Sequence, residues 1–244
     1  QAGNSATDQY GWDKYIYPNP MPNSISGIGY SAVLGMLYTI DGGNSRLEQW
    51  DTEGNRLNQW SLTDGSSSLN SIAGLTVYFT SSKDVITIGA GDGSLYTTYA
   101  AASESTHSPQ GITYAPSTVS AQTDQDRLWV LVDGSPNDKI IKLNPTTGAV
   151  VTWLDSTGRA DAPDADTVGI TYMGGSLYVL SNKSSGCCDT YAYIYKINSA
   201  SAAVEATYNL NNTAGMWGEA GGISNDGTNL IVHKKFDNEI FFID

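Results

Sequence analysis

The chain has 244 residues and a formal net charge of −13, although only 15% of its residues are charged. Phosphate backbones and anionic lipid surfaces repel so acidic a chain, so we do not expect nucleic acid as a partner. The abundance of Gly and Tyr, with 26 and 15 residues, and the lack of long runs of helix formers favour an all-β fold in one domain spanning residues 1–244.

The N-terminal part of the sequence indicates where the protein is located in or outside the cell and contains one candidate strand ahead of the repeats. No apolar stretch approaches the ~20 residues that a membrane-spanning helix needs. The sequence starts at Gln1 without the basic and apolar regions of a signal peptide, so we expect a processed chain that is extracellular or at the cell surface. An artificial boundary would give the same start. Residues 14–18, within the segment 10–20, have strand composition and precede the first repeat.

A motif then recurs five times along the chain. Each copy has a Gly, an apolar residue and usually an aromatic residue, followed by a turn and an apolar run; the clearest copy begins at Gly111 and resumes at Leu128. The copies begin at Gly27, Gly74, Gly111, Gly169 and Gly222. Repeats of short strands, roughly 40 to 60 residues apart, are typical of a β-propeller. The sequence therefore predicts a single β-propeller of five four-stranded blades, near residues 26–64, 70–105, 109–156, 166–211 and 219–244.

The second and fifth repeats depart from this pattern. In the second, we expect the inner strand at 74–77 and any outer strand within 100–108. In the fifth, the sequence ends after a third strand at 239–244, which leaves that blade without an outer strand. We therefore predict that a strand within 10–20 closes the last blade, because an uncovered edge invites pairing with other chains. In an alternative, the same strand enters a neighbouring molecule and produces a homo-oligomer or polymer.

The repeat motifs Gly-Ile-x-Tyr, Leu-Tyr-Val, Ile-x-Lys-Ile/Leu-Asn and Thr-Gly-x-Val resemble those of the broad superfamily of NHL-type, phytase-like and SdiA-regulated β-propellers. The resemblance covers nearly the whole chain and implies the fold, because the matching residues are structural. Some members are calcium-assisted hydrolases with an acidic residue just before the Gly of an inner strand. The five matching positions here are Ser26, Ala73, Gln110, Val168 and Gly221, and none is acidic. Since a hard cation needs converging oxygen ligands, this departure argues against a metal-dependent enzyme.

Five residues mark a candidate ligand site. Asp41 and Asp133 both follow a second strand, and Asn182 is predicted as their equivalent in the fourth repeat. Glu219, just ahead of the fifth repeat, is expected at the same face. These groups could form an acid/base pair or hold a cation, but an Asp followed by Gly, as at Asp41 and Asp133, favours a turn. Trp217 stands two residues before Glu219, and an aromatic ring beside a carboxylate suits a carbohydrate or peptide contact.

Other chemistry-bearing residues give weaker signals. Asp161, Asp164 and Asp166 precede the fourth repeat and are candidate calcium ligands. They lack the Asp-x-Asp-x-Asp-Gly register of an EF-hand loop, so a solvated acidic loop is the favoured interpretation. The two histidines, His107 and His233, are not accompanied by a Gly-x-Ser-x-Gly elbow, and we predict no catalytic triad.

The two cysteines, Cys187 and Cys188, are adjacent. Neighbouring Cα atoms lie ~3.8 Å apart, closer than in an ordinary disulfide, so a bond between them closes a strained ring. A vicinal disulfide, free thiols and links to another chain all stay open, whereas two adjacent thiols without further ligands cannot complete a zinc site. Asn182 and Asn211 begin N-glycosylation patterns, which carry weight only if the chain is secreted.

Three functions fit these features. We favour a secreted or cell-surface binding module, without enzymatic activity, that recognises a protein or a carbohydrate through loops on one face. One alternative is a structural subunit that self-assembles into an extracellular polymer or surface layer. The other, which the resemblance implies, is a calcium-assisted hydrolase or lyase of the phytase-like or lactonase-like kind, with Asp41, Asp133, Asp166 and Glu219 as ligands or acid/base groups.

Overall fold

A computed structural model describes most of the strand-forming part of the chain. The described residues are 6–7, 13–16, 25–31, 34–41, 44, 46–61, 68–72, 75–79, 84–89, 95–100, 108–115, 127–133, 139–143, 150–155, 167–184, 190–201, 203–211, 218–235 and 239–244. The chain is an all-β protein, and its strands form antiparallel sheets. Among the described residues, no helix is long and apolar enough to span a bilayer.

Within these residues the strands form five sheets. The first two strands along the chain are β1 (Ala6–Thr7) and β2 (Asp13–Ile16). The first sheet contains β3 (Ile25–Ser31), β4 (Met36–Asp41), β5 (Arg46–Trp50) and β6 (Arg56–Ser61). The second contains β7 (Ser68–Ile72), β8 (Leu75–Phe79), β9 (Asp84–Gly89) and β10 (Leu95–Ala100).

The other three sheets continue along the chain. The third contains β11 (Ser108–Ala115), β12 (Arg127–Asp133), β13 (Lys139–Leu143) and β14 (Val150–Asp155). The fourth contains β15 (Thr167–Met173), β16 (Ser176–Ser184), β17 (Thr190–Asn198) and β18 (Val204–Asn209). The fifth joins β19 (Ala220–Asn225), β20 (Leu230–Lys234) and β21 (Glu239–Ile243) to the two N-terminal strands, in the order β1-β2-β21-β20-β19.

The second sheet corrects the strand assignment made from the sequence. The predicted inner strand at 74–77 is wrong, because β8, which covers 75–79, pairs with β7 on one side and β9 on the other. The outer strand is β10 at 95–100, and it does not lie within 100–108. Gly74 suggested an inner strand by analogy, whereas in the other repeats the Gly lies inside that strand. The polar strand β7, Ser-Leu-Asn-Ser-Ile, carries too weak an apolar alternation to be recognised.

One strand of each sheet contacts the corresponding strand of the next. These inner strands are β3, β7, β11, β15 and β19; each contacts its successor, and β19 contacts β3. A Gly makes the close approach possible at several junctions. A Cβ atom on Gly111 would lie 2.9 Å from the backbone nitrogen of Ile170, and one on Gly222 would lie 3.0 Å from Cγ2 of Ile28. The Gly-Ile pair of the repeat is therefore a packing unit between sheets.

The third residue of the motif also joins neighbouring sheets. The Thr113 hydroxyl accepts a hydrogen bond from the backbone N–H of Tyr172, at 2.9 Å. The Ser224 hydroxyl accepts one from the backbone N–H of Tyr30, at 3.0 Å. Both bonds satisfy an inner-strand donor that the sheet leaves unpaired. The motif Gly-Ile-Thr/Ser-Tyr is thus explained by contacts between sheets.

Apolar side chains fill the spaces between sheets. The third and fourth sheets share a cluster that includes Trp129 and Tyr195. The fourth and fifth share one that includes Leu180 and Phe241. The space between the fifth and the first sheet, which we call the fifth–first interface, is filled by Ile25, Ile28, Leu37, Trp50, Ile231 and Ile240. The core is therefore a set of layers between sheets.

The N-terminal strand is attached to the fifth sheet. Residues 13–16, which lie within the predicted segment 10–20, pair antiparallel with β21 from Asp13↔Phe242 to Ile16↔Glu239. Strand β1 pairs with the free side of β2. The edge of β21 in this structure is covered by a strand from the other end of the sequence.

Candidate functional site

The candidate residues that the structure describes gather at one end of the sheets. We call it the crossover end, because there the chain leaves the outer strand of one sheet and starts the inner strand of the next. The second strands β4, β12, β16 and β20 end at this end. Asp41 is the last residue of β4, and Asp133 is the last residue of β12. Asn182 lies near the end of β16, and Glu219 immediately precedes β19.

Strand register corrects the equivalence of these residues. Gly27 pairs with Ile40, Gly111 with Leu131, Gly169 with Leu180, and Gly222 with His233. Counting on from these pairs, Asn182 is equivalent to Asp133 and to Lys235, whereas Asp41 is equivalent to Ser181. Successive side chains of a strand point to opposite faces. The predicted equivalence of Asp41 with Asn182 is therefore wrong by one residue.

Asp41 is completely buried, and its two carboxylate oxygens both accept hydrogen bonds. Its carboxylate accepts hydrogen bonds from the backbone N–H and the side-chain amide of Asn44, at 3.2 and 2.6 Å. It also accepts one from Arg46 Nη2 at 3.2 Å, which makes a salt bridge. This is the geometry of an Asp that holds a turn and anchors the start of β5.

A second buried carboxylate, Glu48, lies on the same face as Asp41. Glu48 is 0% exposed, and its Oε1 accepts a hydrogen bond from Arg56 Nη1 at 2.9 Å. Its other oxygen has no hydrogen-bond partner among the described residues. Directly opposed residues of two paired strands share a face of the sheet. Glu48 therefore lies on the same face as Leu37 and Trp50, which pack at the fifth–first interface. The register that shows this is Asp41↔Arg46, Thr39↔Glu48 and Leu37↔Trp50.

Burial dominates the electrostatics of Glu48. Loss of hydration raises the pKa of its carboxyl above the ordinary value, and the hydrogen bond and positive charge of Arg56 only partly oppose this. Glu48 is not among the residues predicted from the sequence, because a Glu in a strand usually faces solvent. By register, the same position holds Ile141, Tyr195 and Phe241 in three other sheets. Aligning the repeats on third strands would have revealed the charge.

At the junction of the fourth and fifth sheets, Asn182 holds the start of β19. Its Nδ2 donates to the carbonyl oxygen of Ala220 at 3.0 Å, and its Oδ1 accepts from the backbone N–H of Ala220 at 2.9 Å. Both bonds are buried, and the first engages Nδ2, the nitrogen to which a glycan would be attached. Asn211, at the other glycosylation pattern, is also buried, and its side-chain amide has no partner among the described residues.

Replacing Asn182 with alanine is expected to lower the free energy of unfolding by about 2 kcal/mol, because a buried backbone N–H and C=O lose their partners. Asn211→Ala is the matched control, since this Asn is equally buried (4% against 5% exposed) but makes no such bonds. Chemical denaturation of both variants checks this. Equal losses of stability would show that burial, and not the bonds to Ala220, is what matters.

Glu219 and Lys235 form an ion pair next to Asn182. Lys235 Nζ donates to Glu219 Oε2 at 2.7 Å, and the backbone N–H of Lys235 donates to the Glu219 carbonyl at 2.8 Å. Both side chains are about one-third exposed, at 36% and 38%. Lys234 pairs with Glu239 at 3.5 Å. The basic pair next to His233 is thus neutralised by neighbouring carboxylates.

His233 is the only one of the two histidines that lies in the described residues, and it is 1% exposed. A Cβ atom on Gly221 would lie 2.7 Å from His233 Nδ1 and 3.3 Å from the carbonyl oxygen of Ile25. The imidazole therefore fills the space that a side chain at position 221 would take. Other sheets have Ile40, Leu131 and Leu180 at the His233 position.

The remaining predicted residues have a partial or no description. Asp133 pairs with Ser108 through the backbone. The following residues lie outside the described part of the chain: Trp217, Asp161, Asp164, Asp166, Cys187 and Cys188. Within the described part, no cluster of three or more His, Cys, Asp or Glu side chains could hold a metal ion. The predictions of a calcium site, an aromatic contact and a vicinal disulfide stay predictions.

At the opposite end of the first sheet, Asp51 holds the turn between β5 and β6. Partial burial disfavours its charge, but hydrogen bonds from Asn55 and Glu53 outweigh it and lower the pKa of Asp51. A carboxyl with a lowered pKa stabilises the fold at pH values above its ordinary pKa of 3.8. This contribution is lost as the pH falls through the pKa of the folded state. We expect Asp51→Ala to lower the melting temperature at pH 7, and the difference from wild type to shrink below pH 3.8. A difference independent of pH would contradict this.

No protein-family model matches the chain, and no curated protein matches it. Solved structures do. The glutaminyl cyclase of Myxococcus xanthus superposes with a TM-score of 0.68 at 14% identity, over 95% of each chain. A streptogramin B lyase superposes with a TM-score of 0.54 at 12% identity, over 96% of this chain and 98% of that chain.

A third similar structure is BamB from Moraxella catarrhalis, with a TM-score of 0.46 and 11% identity over 99% of this chain and 91% of that chain. At such identities, the likeness to the cyclase and the lyase shows the fold alone. The narrower resemblance to NHL-type and phytase-like propellers stays a prediction. The antiparallel sheets and these two structures together show that the chain has a β-propeller-type fold.

Proposed function

We propose that the chain is a secreted or cell-surface binding module, built as one closed five-bladed propeller, that recognises a protein or a carbohydrate at the crossover end. The contact of β19 with β3 and the pairing of β2 with β21 support the closed ring. In such a ring the crossover ends of all blades meet on one face. Loops placed by a rigid sheet scaffold are where binding residues concentrate.

The observation that carries the proposal is the engagement of the polar groups at the crossover end. Asp41 is bonded to Asn44 and Arg46, and Asn182 is bonded to Ala220. Glu219 is paired with Lys235. These bonds fix the points where the loops leave the sheets. Side chains that hold the loops in this way have a structural role, which supports a binding module over a hydrolase.

The ligand-contacting groups in this proposal belong to the loops at the crossover end. In this proposal Trp217, two residues before Glu219 in the sequence, supplies an aromatic surface, and an aromatic ring together with a carboxylate suits a pyranose ring or a peptide. Asp161, Asp164 and Asp166 supply oxygen ligands if calcium takes part. A bond between Cys187 and Cys188 would stiffen the loop that carries them.

Arrays of immobilised glycans and peptides, probed with the labelled full-length chain, test this function. We expect Trp217→Ala and Glu219→Gln to weaken binding of the captured probe by about tenfold or more, equal to about 1.4 kcal/mol. Leu34→Ala and Glu53→Gln, exposed positions at the opposite end, are the controls and should leave binding unchanged. Loss of binding in the controls alone would move the site to the opposite face. Turnover of a probe that stops with chelator would favour the calcium-assisted hydrolase instead.

A further inference from the structure

The strand that lies next to the third strand in the fifth sheet, β2, differs in its connection from its counterparts in the other sheets. β6, β10, β14 and β18 each follow the third strand of their own sheet directly along the chain. β2 pairs with β21, from which it is separated by nearly the whole sequence. No turn of the chain therefore ties β2 to its partner strand.

Strands β1 and β2 form a small unit of their own. Ala6 pairs with Lys14 and Thr7 pairs with Asp13, so the two antiparallel strands β1 and β2 are called here the N-terminal hairpin. The outer side of β2 is taken by β1, and its inner side by β21. A two-stranded hairpin is at best marginally stable alone in water. The N-terminal hairpin therefore depends on an acceptor edge.

The acceptor edge on β21 is held in place without the hairpin. β21 pairs with β20 on its other side, from Leu230↔Ile243 to His233↔Ile240. Phe241 and Ile243 are buried in the cluster with the fourth sheet, and Ile240 is buried in the fifth–first interface. Packing on both faces fixes this strand, so its outer row of backbone N–H and C=O groups forms a ready template for a strand.

We infer that this edge also accepts the N-terminal hairpin of a second copy of the chain, so that the hairpin exchanges between molecules. Exchange preserves every contact of the paired strands, and its cost is confined to the connection that joins β2 to β3. Residues 17–24 form that connection. A short tether gives the chain's own hairpin an effective concentration of about 1 mM, so copies at ~100 µM should exchange about a tenth of their hairpins.

Cysteine pairs at matched register positions test the exchange in the full chain. Ile16 and Glu239 are direct partners, so one chain carries Ile16→Cys and a second carries Glu239→Cys, both with Cys187→Ser and Cys188→Ser. The two chains are mixed, incubated and oxidised, and covalent dimers are counted on a non-reducing gel. A chain with Glu53→Cys, an exposed turn position, replaces the Glu239→Cys chain as the collision control.

We expect covalent dimers to contain about one in twenty of the chains at ~100 µM, because half of the exchanged hairpins meet an acceptor without the second cysteine; the yield should decrease in proportion on dilution and be absent with the Glu53→Cys partner. Both cysteines in one chain should give an intramolecular bond and abolish exchange with labelled copies. Dimers no more abundant than with the control overturn the inference. If either variant fails to fold, Asp13→Cys with Phe242→Cys repeats the test at another matched pair.

Discussion

Gly111→Ala is expected to destabilise the chain by about 3 kcal/mol, although it adds a single methyl group. The new Cβ would lie 2.9 Å from the backbone nitrogen of Ile170 and 3.0 Å from its Cγ2 atom. A flexible side chain could move aside, but a backbone nitrogen in a paired strand cannot move without disturbing its own sheet. The strands β11 and β15 must then separate, and the apolar layer between the third and fourth sheets loosens.

Thermal unfolding followed by circular dichroism measures this effect. Gly174→Ala is the matched control, because Gly174 lies in a turn with φ of +59° and no atom within 4 Å of the added Cβ. That variant should cost only the backbone strain of about 1 to 2 kcal/mol. Gly222→Ala, where Ile28 Cγ2 and N lie at 3.0 and 3.2 Å, should resemble Gly111→Ala. If Gly111→Ala is no worse than the control, the inner strands are not closely packed.

Arg56→Ala is expected to cost about 2 kcal/mol at pH 7, because it leaves the buried Glu48 carboxylate without its hydrogen-bonded cation. We expect less than for a fully buried pair, since the Arg56 side chain is 45% exposed and water screens it. The loss should become smaller in acid. A raised pKa means that Glu48 supports the fold most when protonated, below its ordinary value of 4.5, and that this support is lost as pH rises through the folded-state value.

Urea titrations at pH 7 and at pH 4.5 test this dependence. Glu48→Ile is the companion variant, because the equivalent position in the third sheet is Ile141. In the Glu48→Ile background, Arg56→Ala should be nearly neutral at both pH values, since the buried carboxylate that Arg56 pairs with is no longer there. A loss that persists in that background would mean that Arg56 acts through packing of its aliphatic part.

The repeat pattern predicts the sheets because its residues have one structural role in each copy. Gly111 and Gly222 allow the inner strands of neighbouring sheets to approach closely, and the hydroxyls of Thr113 and Ser224 accept hydrogen bonds from the next sheet. The same residue types therefore recur at the same positions of the repeat and can be recognised in the sequence. The second sheet does not follow this repeat pattern. Its inner strand β7 lacks the Gly-Ile pair, so the pattern shifted the prediction by one strand.

The candidate site was less predictable, for a physical reason. Asp41, Asn182 and Glu219 could be selected as polar residues near strand ends, but their partners could not be read from spacing. A one-residue difference in register reverses the face on which a strand residue lies, so Asp41 and Asn182 appeared equivalent when they are not. Glu48 was missed because its burial depends on the neighbouring fifth sheet.

The pairing of β2 with β21 has a consequence for the newly made chain. Asp13 is synthesised about 230 residues before its partner Phe242. At translation rates of 5–20 residues per second, β2 spends about 10 to 45 s outside the ribosome before β21 exists. Neighbouring ribosomes on one message hold chains at staggered lengths during that interval. Among the described strands, β2 therefore waits longest for the strand with which it shares the sheet.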